Sequence, residues 1–216
     1  KDWETIIDGV AGPKIQLLYL GYNNLVETPS YEKLNKMVKL SLLDLQHNKL
    51  ETIHPFGKEV HIVKCYLDYN KLKSIPHAAD GFFFGYNGET ETISCNHNEI
   101  ELFPDVFNAK SNYVISSISF AYNKIRGFEN GDAHKGVNTS SIDLSYNQLE
   151  TFPAVLIAKG SPLNSLTLPG NGMKSIPKGA MTGPKSKMIQ VLDLSYNNLS
   201  SLPDDFLPTN IPYLYG

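Results

Sequence analysis

The chain has 216 residues, of which 41% are hydrophobic and 19% charged, and its formal net charge is −3 at pH 7. Acids slightly exceed bases, so no basic stripe offers an electrostatic footprint for nucleic acid. No run approaches the ~18 consecutive apolar residues of a bilayer-spanning helix.

One segment recurs along most of the chain, and it is clearest where Ile142-Asp143-Leu144-Ser145-Tyr146-Asn147-Gln148-Leu149 is repeated as Leu192-Asp193-Leu194-Ser195-Tyr196-Asn197-Asn198-Leu199. Eight copies align on an asparagine, at Asn23, Asn48, Asn70, Asn98, Asn123, Asn147, Asn171 and Asn197. The mean spacing is about 25 residues, a period that marks stacked repeats. With the asparagine numbered position 9 of its repeat, position 6 reads Leu20, Leu45, Leu67, Cys95, Phe120, Leu144, Leu168, Leu194. Position 4 reads Leu18, Leu43, Cys65, Ile93, Ile118, Ile142, Leu166, Leu192, and position 11 is apolar throughout, from Leu25 to Leu199. Position 14 is apolar except at Thr28, and proline follows at position 15 in six of the eight copies. Positions 4 and 6 are two apart, so on a strand they share a buried face while 3, 5 and 7 point away from it. The asparagine ends the strand and can satisfy backbone groups that the turn leaves unpaired. Proline at 15 suits a chain leaving the strand side. A single repeat cannot bury its apolar edge, but stacked neighbours can.

The pattern L-x-x-L-x-L-x-x-N-x-L resembles the leucine-rich repeat family, over nearly the whole chain. The resemblance implies an α/β solenoid: a right-handed superhelix with a parallel concave β-sheet and an irregular or short-helical convex side. Residues 1–216 are expected to form one array with partial repeats at both ends. Trp3 and Ile6 fit positions 11 and 14 of a preceding repeat, and Ile211 and Leu214 fit positions 1 and 4 of a ninth. This favours a fragment of a longer array over an array closed by unrecognisable caps. Cysteine-rich caps, usual in animal extracellular members, are not in the sequence, which argues for a bacterial or intracellular relative.

In chain order, residues 30–37 are expected to form a short convex helix, with Ser30 as its cap and Leu34 and Met37 facing inward. The short unit after Asn48 is expected to cross in a loop. The longer unit after Asn70 carries Phe82-Phe83-Phe84 between glycines, read first as rings packed under the convex side and second as an exposed patch for a partner. Residues 108–110 and 131–136 read as polar loops. Asn138-Thr139-Ser140 and Asn198-Leu199-Ser200 match the glycosylation sequon, a short match that arises by chance.

Cys65 and Cys95 occupy positions 4 and 6 of adjacent repeats. Their offset is roughly 7 Å along the strand and about 4.8 Å across it, a diagonal beyond the ~7 Å Cα limit of a disulfide. Two buried free thiols in leucine-like sites are expected. No C-x-x-C, H-E-x-x-H, P-loop, G-x-G-x-x-G or G-x-S-x-G is present. His47 and His97 share a column but lie two repeats apart, about 9.6 Å, too far for one metal ion. Asp143 and Asp193 are about as far apart on the outward face, which loosely overlaps the spacing of glycosidase carboxylates. An open strand face does nothing to raise one of their pKa values, so they read as solvated repeat aspartates. No enzyme, metal or cofactor is implied.

The outward positions are uneven. Repeats one to three present Leu17, Tyr19, Leu42, Asp44, Lys64, Tyr66 and Asp68, large apolar and aromatic groups beside charges, the composition of interaction hot spots. Repeats five and six present mostly serine. Position 8 adds a column of Tyr22, His47, Tyr69, His97, Tyr122, Tyr146 and Tyr196, read mainly as a packing ladder and secondarily as a surface on which sugars or protein side chains could stack. The expectation is a non-catalytic recognition module that binds a protein, or after that a glycan, through the seven residues named. A structural spacer or adhesin stalk, or the regulatory arm of a larger multidomain protein, is the alternative. The resemblance favours a bacterial secreted or surface-anchored setting, with the cytoplasm as the alternative.

Overall fold

The computed structural model describes residues 14–56, 60–76, 90–105, 115–131, 136–159, 163–182, 184–206 and 211–216, without the side chains of residues 184 and 185. Each repeat contributes one short strand: β1 Leu17–Tyr19, β2 Leu42–Asp44, β3 Lys64–Tyr66, β4 Thr92–Ser94, β6 Ile115–Ser119, β8 Thr139–Asp143, β9 Ser165–Thr167, β10 Val191–Asp193 and β11 Tyr213–Tyr215. They form one nine-stranded parallel sheet in chain order. Its register follows the repeat, because Leu18, Leu43, Cys65, Ile93, Ile118, Ile142, Leu166, Leu192 and Leu214 are successive partners. β11 is therefore the ninth strand that the spacing of Ile211 and Leu214 predicts. A second, two-stranded sheet pairs β5 Leu102–Phe103 with β7 Gly127–Phe128 at positions 13 and 14.

The core lies behind the main sheet. From repeat two to repeat eight, positions 4 and 6 are fully buried. Position 11 is buried from Leu50 to Met173, and Ile53, Ile75, Phe103, Phe152 and Ile176 fill position 14. Leu202 departs from the pattern and is exposed. Thr28, the polar entry in that column, is buried because its hydroxyl accepts from the His54 amide at 2.8 Å. Cys65 and Cys95 are buried and free. Burial holds both thiols far above the ordinary range, and the Asp68 carboxylate raises each of them further, so neither supplies a thiolate nucleophile.

The convex elements follow local chemistry. Helix α1 is Tyr31–Leu34, shorter than the expected 30–37, although Leu34 and Met37 do face inward. Ser30 stands at its N-cap without a side-chain bond; its carbonyl instead accepts from Lys33 and Leu34 at 3.0 Å each. Helix α2, Ala154–Lys159, was not anticipated from the repeat columns and follows Pro153 with Leu156 and Ile157 buried. The unit after Asn48 has no helix among its described residues, as expected. Trp3, Ile6, the Phe82–Phe84 loop, residues 108–110 and 132–135 lie outside the described residues.

Asparagine closes every repeat. In Asn147, Nδ2 donates to the position 6 carbonyl of its own repeat, Leu144 (3.0 Å), and of the preceding one, Phe120 (2.9 Å), and to Ser145 at 3.2 Å. Its Oδ1 accepts from Ile125 N, position 11 of the preceding repeat, at 2.9 Å. The same donor and acceptor pattern links Asn48, Asn70, Asn98, Asn123, Asn171 and Asn197 to the repeat before. Among the described residues Asn23 bonds within its own repeat, at Leu20 and Gly21, and it is exposed. Replacing Asn147 by alanine strands a buried amide and its carbonyl partners. Urea unfolding of Asn147→Ala is expected to show a loss of roughly 2–4 kcal/mol, against under ~1 kcal/mol for Asn23→Ala.

Candidate functional site

The register sets the large outward residues side by side. Leu17, Leu42 and Lys64 are direct partners across β1, β2 and β3, and so are Tyr19, Asp44 and Tyr66. Six of the seven residues singled out from sequence thus form one contiguous patch. Leu17 is 55% and Tyr19 62% exposed, while Leu42, Asp44, Lys64 and Tyr66 are half-buried. Lys64 reaches Glu91 on the next repeat at 3.0 Å. Hydrogen bonding to that carboxylate, then its charge, holds the ammonium above its ordinary pKa.

The seventh residue, Asp68, lies at position 7, beyond β3, and its carboxylate is already engaged. Oδ1 accepts from Ser94 Oγ at 2.7 Å and from Asn96 N at 2.6 Å. Burial pushes its pKa up, and the two hydrogen bonds oppose that shift.

Asp68 belongs to a recurring device that the sequence columns did not reveal. The position 6 carbonyls are occupied by the asparagine column, so the amide at position 7 needs another acceptor. Asp44 supplies it to Gln46 at 3.1 Å, Asp143 to Ser145 at 2.9 Å and Asp193 to Ser195 at 3.0 Å. Asn96 supplies it to Ala121 of the next repeat, at 2.7 Å. Repeat seven has Pro169 at this position, which has no amide to satisfy. These aspartates are therefore half-buried backbone caps rather than freely solvated charges. The Asp-x-Ser spacing of two residues was the available signal.

At the rim, position 8 adopts the left-handed region in every repeat, with φ between 52° and 57° at the tyrosines and histidines and 66° at Gly170. Tyr22, His47, Tyr69, His97, Tyr122 and Tyr146 stack in one continuous column with ring centroids 4.2–4.6 Å apart and planes within 14° of parallel. The packing-ladder reading of this column describes these six rings, and His47 and His97 are separated by the Tyr69 ring. Among the described residues no group of three His, Cys, Asp or Glu could hold a metal ion. No helix among them is long and apolar enough to cross a membrane.

A parallel sheet with one strand per repeat, asparagines closing each turn and proline after position 14 defines a leucine-rich repeat solenoid. The comparisons agree: the Leucine Rich Repeat family model matches residues 188–209. A leucine-rich repeat protein from Bacteroides eggerthii DSM 20697 superposes on all of this chain and 37% of its own, with 39% identity and a TM-score of 0.85. A second, from Bacteroides thetaiotaomicron VPI-5482, covers 99% of this chain and 27% of its own, with 38% identity and a TM-score of 0.84. Lumican from Mus musculus is 27% identical over 112 residues, 52% of this chain and 32% of that protein. The chain thus spans about a third of the length of its curated relatives. It has the leucine-rich repeat fold and is similar to these bacterial leucine-rich repeat proteins.

Two measurements test the rim and the caps. Tyr69 stacks on both sides, whereas Tyr196 is 80% exposed with no ring contact among the described residues. Tyr69→Ala is expected to cost about 1–3 kcal/mol from two lost stacking pairs, and Tyr196→Ala under ~0.5 kcal/mol, in denaturant unfolding. Asp68→Asn keeps the Oδ1 acceptor, the role Asn96 already performs one repeat later. The raised pKa of Asp68 means the native state binds its proton more tightly than the unfolded chain, so its contribution falls as pH rises through the folded value. Asp68→Asn is therefore expected to match or exceed the parent stability at pH 7. That advantage should shrink as pH falls through the raised folded value of Asp68 and be gone once pH is below the ordinary carboxylate range.

Proposed function

We propose that this chain is a non-catalytic recognition module that binds a protein partner through Leu17, Tyr19, Leu42, Asp44, Lys64 and Tyr66, with Asp68 holding the adjoining turn. The observation that supports it is the contrast along one rigid sheet. Strands β1 to β3 present aromatic and aliphatic groups in contiguous register, while β4, β6, β8 and β9 present Thr92, Ser117, Ser141 and Ser165 in the column that begins with Leu17 and Leu42. Tyrosine is among the residues enriched at energetic hot spots, and an apolar patch edged by charged groups has the core-and-rim anatomy of an interface. A bacterial cell-surface or secreted setting fits the resemblance to the Bacteroides proteins.

A binding screen of the 216-residue chain against purified extracellular host proteins, run in parallel with Leu42→Ala/Tyr66→Ala, tests this reading. The expected result is a partner whose affinity falls at least tenfold in the double variant, about 1.4 kcal/mol or more. A partner bound equally well by the variant contradicts the placement. Folded protein that binds nothing in the screen favours the spacer or stalk reading, to which the serine and threonine strands lend themselves.

A further inference from the structure

From Tyr22 to Tyr122 the ring column alternates tyrosine with histidine. Tyr122 then meets Tyr146, the one step in the column where two phenols face each other, with centroids 4.6 Å apart and planes 12° from parallel. For Tyr22 and Tyr69 the nearest phenol in the column is two steps of 4.2–4.3 Å away, behind a histidine.

The pair is covered on both outer faces. His97 stacks on the other face of Tyr122 at 4.3 Å. Tyr146 lies over the backbone of Gly170, where an added Cβ would sit 2.6 Å from Tyr146 Cδ1. Each phenol thus has the other as its stacked neighbour of the same chemistry. The two residues follow β6 and β8, which are paired in register. They also share one backbone conformation, φ 56° and 54°, so equivalent carbons of the two near-parallel rings stand about one ring step apart. Tyr122 is 47% and Tyr146 41% exposed, which gives an oxidant access and the phenolic protons a way out.

We propose that Tyr122 and Tyr146 are an oxidative cross-linking site, at which the two rings couple into dityrosine and staple repeat five to repeat six. Each phenol gives up one electron and its proton to a one-electron oxidant, a haem peroxidase turning over hydrogen peroxide. The two phenoxyl radicals join through a new bond between their Cε carbons. The hydrogen on each joined Cε moves to the oxygen of its own ring and restores the phenol. The sum is two tyrosines and one hydrogen peroxide giving one dityrosine and two waters. Stacking on paired strands makes the encounter of the two rings intramolecular before oxidation begins. The histidines at alternate places confine the coupling within the column to this step. The product restricts the unfolded chain between two successive repeats, as any cross-link does. The site is remote from the Leu42–Tyr66 patch and does not depend on it.

The test treats the 216-residue chain, at high dilution, with a haem peroxidase and hydrogen peroxide. Dityrosine fluorescence is read on the monomer, and mass spectrometry of tryptic peptides maps the cross-link. Cleavage after Lys124 and Arg126 separates Tyr122 from Tyr146 unless they are joined, and fragment ions assign the linked rings. Three variants accompany the parent: Tyr122→Phe, Tyr146→Phe and Tyr213→Phe/Tyr215→Phe. The first two keep a stacked ring and remove its phenol. The third removes the exposed tyrosines of β11, which lie two residues apart on one face of that strand. The expected result is a monomer in which Tyr122 is joined to Tyr146, in the parent and in the β11 variant, and loss of that cross-link in Tyr122→Phe and Tyr146→Phe. Dityrosine that joins only other tyrosines, or forms only between molecules, overturns the proposal. So does a chain that is oxidised without forming dityrosine.

Discussion

The asparagine at position 9 is the constraint on which the rest of the molecule depends. A strand of three residues followed by a tight turn leaves carbonyls at position 6 and amides at position 11 without ladder partners. In a buried setting each such group costs about 1–3 kcal/mol if unsatisfied. One carboxamide per repeat answers both needs, donating to two carbonyl layers and accepting from the amide of the repeat before. Each repeat is thereby tied to its neighbour by polar bonds as well as by leucine packing. This fixes the strand register, and the register decides which outward residues become neighbours.

Two consequences reach the surface. Because asparagine occupies the position 6 carbonyls, the position 7 amides turn to side chains, and Asp44, Asp143, Asp193 and Asn96 are drawn into the backbone. The outward acids are thus partly spent on structure, and the face left for a partner is more aromatic and aliphatic than its composition suggests. The turn also forces position 8 into the left-handed region, where non-glycine residues pay roughly 1–2 kcal/mol. From Tyr22 to Tyr146 the rings stack on one another at 4.2–4.6 Å, which offsets part of that cost, while Tyr196 adopts the same φ without a ring neighbour among the described residues. At Gly170, where glycine removes that conformational cost, the ring of Tyr146 lies over the backbone in place of a further side chain.

Much of this was legible in the residues. The apolar periodicity of positions 4, 6 and 11 marked the core, and the ninth strand could be read from Ile211 and Leu214. Free, buried Cys65 and Cys95 followed from strand geometry. The contiguity of Leu17, Tyr19, Leu42, Asp44, Lys64 and Tyr66 followed once the strands were placed in register. What escaped was bonding that periodicity does not encode. Ser30 looked like a side-chain cap, yet its carbonyl does the work. Leu202 fits its column and is exposed. The aspartates looked solvated because a repeat column records which side a residue faces, not which amide it can reach. The stacked rings could be read as a column, but tyrosine and histidine do not advertise a positive φ; only glycine in the same column hinted at it.

A solenoid held in this way presents a surface that is stiff where the asparagines are bonded and chemically varied where the outward columns change. Hydrogen–deuterium exchange resolved to single amides tests its basis most directly. The amides of Leu50, Leu72, Ile100, Ile125 and Leu149, which donate to asparagine side chains of the next repeat, should exchange as slowly as the strand amides beside them. The side-chain-capped amides of Asn96 and Ala121 should be protected as well. Exchange of these amides at the rate of an unstructured chain, with the strands still protected, would contradict the account.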